Sequence, residues 1–243
     1  MKKKMLSLLL ASAIATTAMG LAACGDDDYN GLKSDKIASA EAWSAAFDFS
    51  EVSNVTITAH GMEGNNNVDV FAFDGSKHYE STLDHETSEF FERYYDYKDD
   101  EIFDEQYPRG TEYRYYYDEQ TSAWKVERGM IFDKETAESI FTDCVDELTA
   151  EFDDQGYWDE NSYMHARFSD FTYDESKYAY VAHFDTINDY YKNMNISVKF
   201  KNGKVAECEA TAEFDDDGVS RKTEIKIVIS KRGTTTVTLP SVQ

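Results

Sequence analysis

The sequence predicts an α+β domain built mainly from antiparallel β-strands. Short segments of alternating apolar and polar residues recur along the chain, and turn sequences such as Asp74-Gly75 separate them. One long stretch, 133–152, has helical periodicity instead. The chain contains only two prolines, Pro108 and Pro240, and no linker rich in glycine and serine. These observations favour a single domain with one hydrophobic core.

The amino terminus predicts a bacterial lipoprotein. Three lysines at 2–4 precede an apolar run, as in a secretory signal peptide. The sequence Leu21-Ala22-Ala23-Cys24 resembles a lipobox, so we expect cleavage after residue 23 and lipidation of Cys24. An ordinary signal peptide that ends near a cysteine is the alternative. We therefore expect a signal peptide at 1–23, an acidic flexible linker at 24–37 and a domain at 38–243, anchored on the extracytoplasmic face of the cell membrane.

Composition excludes nucleic acid as a natural partner. The chain has 48 acidic and 24 basic residues and a formal net charge of −24, whereas phosphate binding needs a basic surface. Aromatic residues make up 14% of the chain, which argues against disorder despite this charge.

The amino-terminal half predicts one helix followed by strands. A helix at 39–49 has Ser39 as its cap and Trp43 on its apolar face. The segments "NVTITAHG", "NVDVFAFDG" and "KHYESTL" then predict a β-meander. A strand reaching about Tyr97 follows, although periodicity there does not separate strand from helix. The sequence "TEYRYYYDEQTSAWKVERG" predicts a hairpin that turns at "DEQTS".

The clearest helix spans 133–152, with Asp133 as its cap. Its apolar stripe consists of Ala137, Ile140, Phe141, Cys144, Val145, Leu148 and Phe152. Cys144 and Cys208 could form a disulfide or remain buried free thiols.

The carboxy-terminal third predicts further antiparallel strands: "RFSDFTY", "KYAYVAHF", "NISVKF", "KVAECEATAEF", "VSRKTEIKIVI" and "GTTTVTLP". The segment "TINDYYKNM" predicts a helical turn between two of them. Alternation in the fourth strand predicts a buried set of small residues that leaves space for a helix or a ligand: Ala206, Cys208, Ala210, Ala212 and Phe214.

This order of elements, with the phrases "AEAWSAAF", "SAWKVERG" and "KRGTTTVTLP", resembles lipoproteins of the LolA/LppX-like type and a Firmicutes lipoprotein family. The resemblance covers most of the chain from about Ala38 to Pro240. It implies a curved antiparallel sheet, an unclosed half-barrel, with helices packed on its concave face. It also implies a hydrophobic cavity between sheet and helices that holds an acyl chain or another apolar ligand.

We therefore predict a membrane-anchored, non-enzymatic protein that binds or carries a hydrophobic or amphipathic ligand. The alternative is a surface interaction or envelope-assembly module that binds glycan, peptide or a partner protein through exposed aromatic residues. Packing of these aromatic residues in the core is the competing interpretation. The candidate ligand-binding residues are Tyr113, Tyr115, Tyr117, Tyr178, Tyr180, Phe141 and Leu148.

No catalytic residues or cofactors are expected, because nucleophile-elbow and nucleotide-binding motifs do not occur in the sequence. The five histidines also lack the spacing of known metal motifs. A weak calcium-loop pattern is formed by Glu213, Asp215, Asp217 and Glu224. A hairpin turn at Gly218 explains the same residues without a metal.

Overall fold

The computed structural model describes residues 31–61, 68–84, 89–98, 111–130, 134–149, 168–186, 191–216 and 219–242. The chain divides into Met1–Leu32 and a second unit, Lys33–Gln243, which holds all the secondary structure given below. The predicted signal peptide at 1–23 and the predicted lipidation site Cys24 lie outside the described residues. No helix in the described ranges is long and apolar enough to span a bilayer.

Within the described ranges, eleven strands form one curved, open antiparallel sheet, which confirms the predicted sheet class. Two meanders, β1 to β6 and β7 to β11, meet where β1 pairs with β11. Among the described strands, β6 and β7 are the two edges. The strands are β1 (Asn54–His60), β2 (Val68–Asp74), β3 (Lys77–Asp84), β4 (Glu89–Lys98), β5 (Thr111–Asp118), β6 (Ala123–Met130), β7 (Thr172–Asp174), β8 (Ala179–Thr186), β9 (Tyr191–Lys201), β10 (Lys204–Asp216) and β11 (Val219–Ser230).

The first helix, α1 (Ala40–Phe47), forms as predicted. The Ala42 backbone N–H donates to Ser39 Oγ at 3.2 Å, and this bond caps the helix. Trp43 is buried and contacts the rings of Phe47, Phe168, Phe171, Tyr180 and Phe200. This aromatic cluster fixes α1 against the sheet.

The second helix, α2 (Ala137–Thr149), begins later than predicted. Residues 134–136 are not helical, so the predicted Asp133 cap, itself outside the described residues, is wrong. Thr136 takes this role: the Ser139 N–H donates to Thr136 Oγ1 at 3.0 Å, and the Thr136 N–H donates to Ser139 Oγ at 2.9 Å. This reciprocal pair satisfies backbone N–H groups that have no intrahelical acceptor at the start of α2.

One face of the sheet, here called the helix face, shares a core with both helices. Val55 and Ile57 on β1 belong to the same buried cluster as Phe47 on α1 and Phe141 on α2. Cys144 and Cys208 are also buried in this cluster, and neither forms a disulfide, in line with the alternative of two buried thiols.

The alternation predicted for β10 is confirmed at Cys208, Ala210 and Ala212, which belong to this core, whereas Phe214 is half-buried. Ala206 is buried but lies at a β-bulge, where Val205 takes its expected place in the core. The space beside these small residues is occupied by α1, which packs on β10. Glu207, which precedes Cys208 on the same strand, is also buried. Its carboxylate pairs with Lys199 Nζ at 2.8 Å and Lys226 Nζ at 3.0 Å, which offsets the loss of hydration.

One carboxy-terminal prediction is wrong, and two others are wrong over part of their length. "GTTTVTLP" is not a strand. Its Thr235 N–H donates to Asn54 Oδ1 at 2.8 Å, and its Val237 N–H donates to Asp74 Oδ2 at 3.2 Å. These side chains replace the backbone acceptors of a neighbouring strand. Residues 191–194 of the predicted helical turn belong to β9, and "RFSDFTY" forms a 3-10 turn at 168–170 before the short strand β7.

The packed domain also begins before residue 38. Ser34 N–H donates to the Tyr178 carbonyl at 2.9 Å, and Ser34 Oγ accepts from the Phe200 N–H at 2.9 Å. Ile37 is buried against Tyr180. The segment 34–37, which the sequence assigned to the linker, therefore lies against β8 and β9.

Candidate functional site

Strands β3 to β6 present two chemically different faces. The strand register aligns Ile57, Phe71, Glu80, Arg93 and Tyr116 on the helix face. Since side chains alternate along a strand, their neighbours point to the opposite, outer face. The outer-face residues of these strands include Tyr79, Tyr94, Tyr113, Tyr115, Tyr117, Trp124 and Val126.

The outer face of β3 to β6 carries an aromatic surface, which we define as Tyr79, Tyr94, Tyr115, Tyr117 and Trp124. The rings of Tyr79 and Tyr94 have centroids 4.8 Å apart. Trp124 makes edge contacts with Tyr94 at 5.4 Å and with Tyr117 at 5.7 Å. At about 4.8 Å between strands, the surface extends about 14 Å across the sheet.

Exposure within the aromatic surface is lowest at Tyr94 on β4 and highest at Tyr117 on β5. Tyr94 is 7% exposed, whereas Tyr117 is 50% exposed and the adjacent Val126 is 40% exposed. Burial raises the pKa of Tyr94 to about 12, and nearby Glu92 adds to this shift. The Tyr79 hydroxyl donates to the same Glu92 at 3.2 Å.

Strand β6 adds an unpaired backbone edge to this surface. One side of β6 pairs with β5 over its whole length, from Ala123 to Met130. Among the described strands, none pairs with its other side. Edge strands of this kind can accept an additional strand, because their outward N–H and C=O groups have no partner in the sheet.

The helix face of β3 and β4 holds a buried polar group, here called the His78 cluster: His78, Glu80 and Glu135. Their ligand atoms all lie within 4.8 Å of one another. His78 is 0% exposed and lies between Phe73 and Tyr95, with ring centroids at 4.4 and 5.3 Å. Glu135 reaches the cluster from the segment before α2.

Hydrogen bonding in the His78 cluster is incomplete. Nδ1 of His78 is 3.1 Å from Glu135 Oε2, but the atoms are not aligned as a hydrogen bond. Within the described ranges, neither His78 ring nitrogen nor Glu135 Oε2 has a hydrogen-bond partner. Such buried, unpaired polar atoms cost about 1–3 kcal/mol each, so they are uncommon in folded proteins.

Glu80 is better satisfied. The Tyr95 hydroxyl donates to Glu80 Oε1 at 2.9 Å, and Arg93 Nη1 is 3.6 Å from the same oxygen. Burial raises the pKa of Glu80, and the nearby Glu135 raises it further, against the opposite effects of His78, Tyr95 and Arg93. A divalent cation would counteract the effects of burial and of Glu135, because it stabilises the ionised form of both carboxylates.

The structure divides the candidate ligand residues among three places. Tyr113, Tyr115 and Tyr117 share the outer face of β5, as predicted. Tyr180 is buried, and its hydroxyl accepts from the Ile37 N–H at 2.6 Å. Tyr178 lies at a turn with φ of 50° and is exposed.

The two helix candidates have different outcomes. Phe141 is fully buried and stacks on Phe49 at 4.2 Å, so its ring is a core residue. The side chain of Leu148 lies outside the described residues.

The calcium pattern lies on a β-hairpin. Glu213 pairs with Lys222 across β10 and β11, and its Oε2 accepts from Asn193 at 2.9 Å. Glu224 pairs with Thr211 in the same continuous ladder, while Asp217 and Gly218 lie outside the described residues. In the described ranges, the hairpin interpretation therefore has more support than a calcium loop.

Sequence reasoning missed the His78 cluster and the part of Trp124 in the aromatic surface. The alternation in "KHYESTL" does place His78 and Glu80 on one strand face, which is a usable signal. Glu135 has no such signal, because only the tertiary fold brings it to β3.

Comparison of the chain with models of known protein families, with curated protein sequences and with solved structures finds no match. The two candidate sites in the described residues are therefore the aromatic surface and the His78 cluster.

Proposed function

We propose that this protein is a lipid-anchored, extracytoplasmic, non-enzymatic interaction module. In this proposal, the aromatic surface and the β6 edge bind an extended polypeptide segment of a partner protein, while lipidated Cys24 holds the module at the membrane. The observation that carries the proposal is the position of the exposed Tyr117 and Val126 directly beside an unpaired strand edge.

The two features support the same binding mode. A peptide added to β6 would pair with its outward backbone groups, and alternate peptide side chains would contact Trp124 and Val126 on β6. Long peptide side chains would reach across Trp124 to Tyr117 on β5. Tyrosine and tryptophan suit such a surface because each offers a large apolar ring together with a polar group.

Charge supports a basic or neutral partner. The chain carries a formal net charge of −24, so it repels acidic polymers and anionic membrane surfaces. A segment containing lysine or arginine would associate faster with this protein, and the association would weaken as salt screens the attraction.

The alternative to this proposal is the carrier hypothesis, in which the protein holds a hydrophobic ligand in a cavity between sheet and helices. We propose, as the family resemblance implies, that α1 and α2 lie on the concave side of the sheet, and their shared core with the helix face supports this. Two residues expected to face a cargo, Phe141 and Tyr180, are instead packed in that core. The aromatic surface therefore has more support as the binding site.

A peptide-array experiment with the mature protein tests the proposal. We expect selected peptides to be extended and basic, and Trp124→Ala and Tyr117→Ala to weaken binding at least tenfold, the effect of losing about 1.4 kcal/mol. Tyr178→Ala is the matched control, because Tyr178 is also an exposed tyrosine, at 39% exposure, on a different part of the domain.

Binding that survives both substitutions would contradict the proposal. If the protein instead binds a glycan and the same variants lose that binding, the aromatic surface is still the binding site but its ligand is a glycan. A lipid retained by the native protein in mass spectrometry, with no peptide selected, would favour the carrier hypothesis instead.

A further inference from the structure

We propose that His78, Glu80 and Glu135 bind one divalent transition-metal ion, with Zn²⁺ as the ion used to test it. The three side chains come from β3 and from the segment before α2, and their ligand atoms already lie within 4.8 Å of one another. This inference does not depend on the proposed interaction function.

The state of His78 points to a ligand. Its side chain is completely buried, and within the described part of the chain neither ring nitrogen has a hydrogen-bond partner. A buried imidazole normally donates one N–H and accepts with its other nitrogen. An ion bound to one nitrogen would satisfy it and would also satisfy the buried Glu135 Oε2.

The geometry needs only a small adjustment. Zinc takes nitrogen and oxygen ligands at about 2.0–2.2 Å, so tetrahedral neighbours lie about 3.4 Å apart. His78 Nδ1 and Glu135 Oε2 are already 3.1 Å apart. The Glu135 side chain is 43% exposed and precedes α2, so it can move toward an ion without disturbing the core.

The residues around the cluster hold the ligands in place. Phe73 and Tyr95 stack on the two sides of the His78 ring and restrict its rotation. The Tyr95 hydroxyl donates to Glu80 Oε1, an arrangement by which neighbouring groups orient metal ligands. Arg93, 3.6 Å from that oxygen, opposes cation binding but is more than one-third exposed and therefore partly screened.

The donor set selects the class of ion. One imidazole nitrogen with carboxylate oxygens suits Zn²⁺ and related first-row ions, whereas Ca²⁺ and Mg²⁺ prefer all-oxygen sites. Three protein ligands leave a position for water or another ligand, as in zinc sites that are not purely structural.

The test is a titration of chelator-treated, full mature protein with Zn²⁺ against a chromophoric competitor. We expect one tight site per chain, and Glu135→Gln to weaken it at least about 100-fold, since even loss of an outer partner costs 10- to 100-fold. Glu119→Gln in the exposed β5–β6 turn is the matched control and should bind as the unaltered protein does.

Surface binding must be distinguished from the buried site. The exposed His183, 2.9 Å from Asp185, is another place where a histidine meets a carboxylate, so His183→Asn serves as the second control. X-ray absorption of the zinc-loaded protein should show one imidazole nitrogen and carboxylate oxygens.

Two results would overturn the inference. One is the absence of any site tighter than millimolar in the unaltered protein. The other is a tight site that Glu135→Gln leaves unchanged or that His183→Asn removes. Circular dichroism of Glu135→Gln verifies that the variant folds, and its partly exposed position makes folding the expected result.

Discussion

The two halves of the sheet use the same strand alternation for opposite purposes. On β1 and β8 to β11, the helix face is apolar and packs against α1 and α2. On β3 to β6, the same face carries His78, Glu80 and Arg93, while the outer face carries the aromatic surface. The apolar half, β1 with β8 to β11, therefore supplies stability. The polar half, β3 to β6, supplies the side chains available for binding.

The largest expected effect lies in the apolar half. Phe141→Ala removes a fully buried ring that stacks on Phe49, so we expect a loss of about 3–5 kcal/mol in the free energy of unfolding. Chemical denaturation measures it. Tyr116→Ala, on the helix face of β5 and only half-buried, should cost much less. Equal losses would contradict the division of the sheet into a stability half and a binding half.

Fold elements were predictable where local chemistry decides the outcome. The hydroxyl of Ser39 and the spacing of Trp43 and Phe47 determine α1, and simple alternation indicates β1 to β3. The cap of α2 was misplaced because Asp133 and Thr136 both suit a helix start. "GTTTVTLP" has strand propensity, but Asn54 and Asp74 bind its backbone instead.

The candidate site was only partly predictable for the same reason. Tyr113, Tyr115 and Tyr117 share a face through alternation alone, so the sequence predicts that grouping. Burial of Tyr180 and Phe141 depends on which helix covers which strand. The meeting of His78 with Glu135 depends on tertiary packing, which no local pattern encodes.

An intermediate effect on the free energy of unfolding is expected when two of the buried acids, Glu207 and Glu80, are compared. Glu207 in the apolar half is paired with two lysines, whereas Glu80 has a tyrosine donor and a more distant arginine. Glu207→Gln leaves Lys199 and Lys226 without their shared partner, so we expect about 2 kcal/mol of destabilisation in urea. The value is below that of a fully buried pair because both lysines reach solvent. A change near zero would contradict the assigned role of this ion pair.

The smallest expected effect on the free energy of unfolding depends on pH and comes from Glu80. Burial raises its folded-state pKa above the ordinary 4.5, so the folded form binds the proton more tightly than the unfolded form. Stability from this group is therefore present below about pH 4.5 and is lost as pH rises through the folded-state pKa. In chelator-treated protein, Glu80→Gln should be the more stable form at neutral pH.

The advantage of Glu80→Gln should shrink on acidification, as thermal unfolding at several pH values would show. Glu119→Gln, in the exposed turn, is the matched control for the loss of one carboxylate. A constant difference across the pH range would contradict the assignment to ionisation of Glu80.

The most direct test of the central claim is amide hydrogen exchange of the mature protein with and without a peptide selected on the array. Binding at the aromatic surface and the β6 edge predicts slower exchange in β5 and β6, 111–130, and little change in β8 and β9. Slower exchange confined to β8, β9 or α2 would contradict the claim that the partner binds to the half of the sheet formed by β3 to β6.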